Sequence, residues 1–153
     1  MYMKNSYALI TGASSGIGLE IAKKLAERGY NLILTARRIE LLQSIAKEIT
    51  DKNNVHVDLI SKDLSKYETP NEIFEFCESK NYQVDLLVNN AGYGIKTPFH
   101  ETSIEIEEDF IRVLGTSVIM LTKLFIPKML SNGGGKIMIV SSVASFAAPS
   151  AIQ

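Results

Sequence analysis

The strongest constraint on the fold of this chain is a regular alternation of short apolar runs with longer amphipathic ones. Tyr7–Ile10, Asn31–Ala36, Val55–Ile60, Val84–Val88 and Lys136–Val140 are the short runs. Near-continuous apolar segments of this length suit strands covered on both faces, as in a parallel sheet. Between them the spacing turns helical. Ile17, Ile21 and Leu25 form one stripe, closed by Gly29, and Leu41, Leu42, Ile45 and Ile49 form a second. A third helix is predicted to open on a capping box with proline at its first position, Thr69-Pro70-Asn71-Glu72, followed by Ile73, Phe74 and Phe76. A fourth opens on Thr102-Ser103-Ile104-Glu105 and runs towards Met129 and Leu130, with Pro127 expected to kink or end it early. Strands alternating with helices imply βαβ units with right-handed crossovers. The expected fold is therefore α/β, a doubly wound parallel sheet.

Composition narrows the function classes. The chain has 153 residues, 46% hydrophobic and 22% charged, which suits one domain with a real core. A net charge of −1 gives no electrostatic footprint for nucleic acid or anionic membrane. The first residues lack the charged-then-apolar pattern of a secretory signal, and no uninterrupted apolar stretch approaches the ~20 residues of a membrane span. Cys77 is the single cysteine, which fits a reducing, cytoplasmic setting and a filler role on an apolar helix face. His56 and His100 stand far apart, without the spacing of metal ligands.

Directly after the first run comes Thr11-Gly12-Ala13-Ser14-Ser15-Gly16-Ile17-Gly18, which opens the first helix. Glycines let the backbone turn sharply and approach a ligand. The helix start beyond them offers free N–H groups and a positive dipole end to a pyrophosphate. Gly12, Ser14, Ser15, Gly16, Ile17 and Gly18 are thus candidate cofactor-binding residues. At the end of the second run stands Thr35-Ala36-Arg37-Arg38, with no acid before Glu40. A carboxylate there would accept hydrogen bonds from the ribose 2′-hydroxyl of NAD and repel the 2′-phosphate of NADP, whereas arginine pairs with that phosphate. NADP(H) is the preferred cofactor on this reading and NAD(H) the alternative, with Arg37 as main phosphate contact and Arg38 and Ser14 beside it.

The glycine spacing, G-x-x-x-G-x-G, differs from the common dinucleotide fingerprint. With Asn89-Asn90-Ala91-Gly92 after the fourth run and Val140-Ser141-Ser142-Val143 after the fifth, it resembles the short-chain dehydrogenase/reductase family. The resemblance implies a Rossmann-type sheet of strand order 3-2-1-4-5, with Asp63 and Leu64 touching the adenine and Asn90, Ala91 and Gly92 lining the cofactor and steadying the sheet. It also implies that Ser142 holds the substrate oxygen during hydride transfer between NADP(H) and a carbonyl or alcohol. The family's tyrosine and lysine, as Tyr-x-x-x-Lys, occur nowhere in these residues and would fall beyond Gln153. Residues 1–153 are accordingly expected to be a single NAD(P)-binding domain cut before that pair and inactive alone. A non-catalytic nucleotide-binding fragment or scaffold is the alternative. The expected partners are a small carbonyl or alcohol substrate and a second copy of the chain, with no nucleic acid or membrane. Many family members carry an asparagine three residues before the helix glycine, and Arg112 stands there relative to Gly115.

Overall fold

A computed structural model describes residues 6–142. The elements run β1 (Ser6–Thr11), α1 (Gly16–Glu27), β2 (Asn31–Ala36), α2 (Ile39–Lys52), β3 (Val57–Ser61), α3 (Thr69–Ser79) and β4 (Gln83–Asn89). A short 3₁₀ turn (Phe99–Glu101), α4 (Ile104–Ile111), a π turn (Arg112–Thr116), α5 (Ser117–Ser131) and β5 (Lys136–Ile139) follow. The five strands are parallel, as the alternating pattern predicts, in the order β3-β2-β1-β4-β5 that the family resemblance implies.

Strand parity sorts the core into two layers. Ala8, Ile10, Leu32, Leu34 and Val88 pack under α1 and α2, while Leu9, Ile33 and Leu87 pack under α3 and α5. Cys77 is a buried filler of the second layer, and burial pushes its thiol up to about 12.

Several local expectations are revised. The face that α1 turns to the sheet is Gly18, Ala22, Leu25 and Ala26, and Ile17 is 61% exposed. Small residues let the helix lie close to the strands, closer than a stripe of isoleucines would allow. The third strand starts at Val57, because Val55 N–H closes a tight turn on Asn53 O at 2.8 Å. Neither T-x-x-E motif forms a capping box. Helix α3 begins at Thr69 itself, whose hydroxyl donates to Asp63 O at 2.7 Å and so ties the helix start to the strand-end loop. The Thr102 hydroxyl lies outside α4, whose N-cap is Ser103, and reaches Phe99 O and the Glu107 carboxylate.

Pro127 does not end its helix. It sits inside α5, which continues to Ser131. Val113, Ser117, Leu121, Phe125 and Met129 anchor this helix to the sheet, and that packing outweighs one missing backbone hydrogen bond. Ile104–Ser131 together form a 28-residue helical stretch with an 18-residue window of mean hydropathy 1.6, 22% buried. By length and composition alone it could cross a membrane, although Lys123 and Lys128 interrupt its apolar run. Its buried stripe is engaged by β4 and α3.

Candidate functional site

The carboxyl ends of β1, β2, β3 and β4 open into one cleft of about 240 Å³. Ligands in open α/β sheets bind at this edge, because the loops there diverge where the strand order reverses beside the first strand. Of the residues singled out by sequence, Gly12, Ser14, Ser15, Arg37, Arg38, Asp63, Leu64, Ala91 and Gly92 line it.

Its geometry is set by a hub under the floor. Thr11 is 1% exposed, and its Oγ1 donates to Val88 O at 3.3 Å and accepts from Asn90 N at 2.9 Å and Ala91 N at 3.0 Å. The Asn90 amide donates back to Thr11 O at 2.9 Å and Gly12 O at 3.2 Å. Asn90 is therefore a clamp behind the glycine loop and does not line the cleft. Asn90→Ala should cost roughly 1–3 kcal/mol, read as a melting temperature lower by about 3–10 °C. Asn90→Asp should cost more, since its carboxylate would face two carbonyl oxygens.

The second and third strand ends are tied together as well. Lys62 N–H donates to Ala36 O at 3.1 Å and Ser61 Oγ to Arg37 O at 2.9 Å. Asp63 Oδ1 accepts from Ser65 N at 3.0 Å, which fixes that carboxylate in its loop. Charge is distributed unevenly around the rim. Lys62 is paired with Glu72 at 2.8 Å, and Asp109 lies 3.8 Å from Arg112. Arg37 and Arg38 are exposed and make no ion pair among the described residues. Two adjacent free guanidinium groups beside a helix start form a place for a dianion.

Other sequence candidates fall elsewhere. Gly18 is buried beneath the loop. Gly16 and Ile17 line a separate apolar groove of about 620 Å³ with Ile21, Leu25 and Met138. Ser142 is exposed beyond the end of β5, outside the cleft. Arg112 pairs with Glu108 at 3.2 Å, and it is Leu114 whose Cδ2 lies against Gly92. Arg112 and Leu114 both sit in the π turn between α4 and α5.

The cleft also holds residues that the sequence did not mark. Thr35, Ala36, Lys62 and Ser65 flank marked positions on the same strand ends, so adjacency was a usable signal. Tyr93 follows Gly92 directly, and its ring meets Phe110 edge-on at 5.5 Å. Burial pushes the Tyr93 hydroxyl above its ordinary range, aided by the Asp109 charge and opposed by Arg37. Asp109 and Val113 arrive from a helix that folds back over the strand ends, and nothing local in sequence announces that.

Comparison with known proteins settles the family. The short chain dehydrogenase family profile matches residues 6–152. The chain belongs to the short-chain dehydrogenase family. It is similar to the very-long-chain 3-oxoacyl-CoA reductase of Vanderwaltozyma polyspora, with 36% identity over 131 residues, covering 83% of this chain and 37% of that protein. An uncharacterized oxidoreductase of Staphylococcus saprophyticus is 33% identical over 144 residues, covering 94% of this chain and 62% of the relative. Among solved structures, a short-chain dehydrogenase from Sphingobium yanoikuyae in complex with NADPH superposes with a TM-score of 0.88 at 30% identity, covering 96% of this chain and 57% of that one. The chain thus spans less than two thirds of the length of these relatives. In this member of the family the cleft occupies the strand-end edge at which open α/β sheets bind nucleotides.

Proposed function

We propose that this chain is the dinucleotide-binding part of an NADP(H)-dependent oxidoreductase acting on a carbonyl or alcohol. The observation that carries the reading is the pair of unpaired arginines, Arg37 and Arg38, on the rim where an NAD site would place a carboxylate. The cleft fits the cofactor in kind. Its glycine loop runs into the start of α1 and lines the cleft together with the two cations, Asp63 and Leu64.

When bound, NADPH supplies the hydride. On this reading Gly12 and Ser15 hold the pyrophosphate, with Gly16, Ile17 and Gly18 shaping the helix start. Arg37, Arg38 and Ser14 take the 2′-phosphate, and Asp63, Leu64, Ala91 and Gly92 surround the adenosine. Asn90 keeps the loop in shape. Ser142 holds the substrate oxygen that gains or loses charge, with proton transfer left to groups outside these residues. Reducing cytoplasm is the proposed setting, consistent with a lone buried cysteine.

A second copy is the proposed protein partner. Ile104, Ile111, Ile119, Ile126 and Leu130 are exposed large apolar residues on the long helix, at near-heptad spacing with one extra residue across the π turn. A continuous apolar seam on one face suits an antiparallel pairing of two such helices.

The direct test is calorimetric titration of the chain with NADPH and with NADH. NADPH is expected to bind at least about tenfold more tightly, as one charge-assisted contact to the 2′-phosphate provides. Equal affinities would remove the arginine argument, and binding of neither would remove the cofactor.

A further inference from the structure

Thr35 is set apart by a hydroxyl that the protein leaves unsatisfied. It lies in register with Thr11 on the neighbouring strand, and each is 1% exposed. Paired residues in a parallel ladder project to the same face, so both side chains lie on one side of the sheet beneath the cleft. Thr11 Oγ1 makes three hydrogen bonds there. Thr35 Oγ1 makes none, and among the described residues it alone is a buried side-chain polar atom without a partner. Such an atom destabilises a fold relative to a methyl of the same shape, and valine would fill the same β-branched slot.

The location gives the hydroxyl a use. Thr35 lines the cleft, two residues before Arg37 and on the strand beside the one that leads into Asp63 and Leu64. A hydroxyl both donates and accepts, so it can meet a ring nitrogen or a ribose oxygen, whereas the phosphate belongs to the arginines. One staggered step about χ1 exchanges hydroxyl and methyl without moving the backbone.

We propose that Thr35 is a specificity-determining residue of this site, whose hydroxyl takes its missing hydrogen bond from the adenosine half of the bound dinucleotide. This rests on the NADP(H) reading above. The cost of the unsatisfied hydroxyl is carried by the free protein and relieved on binding, so removing it should move stability and affinity in opposite directions. A purely structural residue would not show that pattern.

The test is Thr35→Val, with Thr35→Ser as the variant that keeps the hydroxyl. Thermal melts of the free proteins are combined with calorimetric titration using NADPH, adenosine 2′,5′-bisphosphate and nicotinamide mononucleotide. The valine variant should melt higher than the unaltered chain. It should bind NADPH and adenosine 2′,5′-bisphosphate each roughly three- to tenfold more weakly, the worth of one neutral hydrogen bond. Affinity for nicotinamide mononucleotide should not change, and the serine variant should bind as the unaltered chain does. Unchanged NADPH affinity in the valine variant overturns the role of Thr35, as does a lower melting temperature, which would reveal an internal partner. If the unaltered chain binds neither NADPH nor the bisphosphate, the NADP(H) reading itself falls and this inference with it.

Discussion

Replacing Gly18 by valine is expected to abolish NADPH binding and to lower the melting temperature by about 10 °C or more, from a cost of roughly 3 kcal/mol. A Cβ at position 18 would stand 2.3 Å from Asn90 Nδ2 and 2.5 Å from Gly12 O. Neither neighbour can retreat cheaply. The amide is held by two carbonyls, and the carbonyl belongs to the loop that shapes the cleft floor. The added side chain therefore pushes α1 away from the loop, or the loop into the cleft. The comparison is Gly16→Ala, where the new Cβ meets nothing within 4 Å and the penalty is only that of a φ of +57°. That variant should cost about 1–2 kcal/mol and keep NADPH binding. Melting curves with titrations of both variants separate a demand for space from a demand for backbone conformation. A Gly18→Val protein that melts normally and binds NADPH would show that the loop and α1 do not need this contact.

Arg37→Asp is expected to reverse the nucleotide preference. The guanidinium is exposed at the rim and makes no ion pair among the described residues, so its removal breaks no structural bridge. What changes is the ligand contact. Losing a charge-assisted bond to a dianion costs roughly 1.5–3 kcal/mol, and an anion in its place adds repulsion. NADPH affinity should fall by about 100-fold, while NADH binds as well as before or better because aspartate accepts from both ribose hydroxyls. Since Arg38 remains, Arg37→Asp/Arg38→Ala should complete the loss. Salt should weaken NADPH binding to the unaltered chain and have little effect on the variant, as expected for exposed charges. Equal NADPH affinity in the unaltered and Arg37→Asp proteins would move the 2′-phosphate away from this corner.

Sheet class and the positions of the glycine loop, Arg37, Arg38, Asp63, Leu64, Ala91 and Gly92 at one strand-end cleft could be read from the residues. These features depend on local rules. Apolar runs specify buried strands, glycine specifies close backbone approach, and in a parallel α/β sheet every strand end faces the same edge.

Sequence periodicity failed where two elements compete for the same surface. Ile17 has helical spacing with Ile21 and Leu25, yet the close approach of α1 to the sheet selects Gly18, Ala22 and Ala26 for the inner face. Capping motifs failed in a similar way. The Thr69 hydroxyl is more useful tying α3 to Asp63 O than capping its own helix.

By itself the sequence determined the family, the alternating α/β architecture and the charge that a cofactor would meet at Arg37 and Arg38, because each is written in neighbouring residues. Only the tertiary structure decided that Asn90 is a clamp, that Leu114 lies against Gly92, and that Asp109 and Tyr93 line the cleft. It alone left the Thr35 hydroxyl without a partner. The reason is physical. These properties depend on which atoms meet across separations of tens of residues, and a π turn or a helix lying close to a sheet changes those meetings without changing any local pattern.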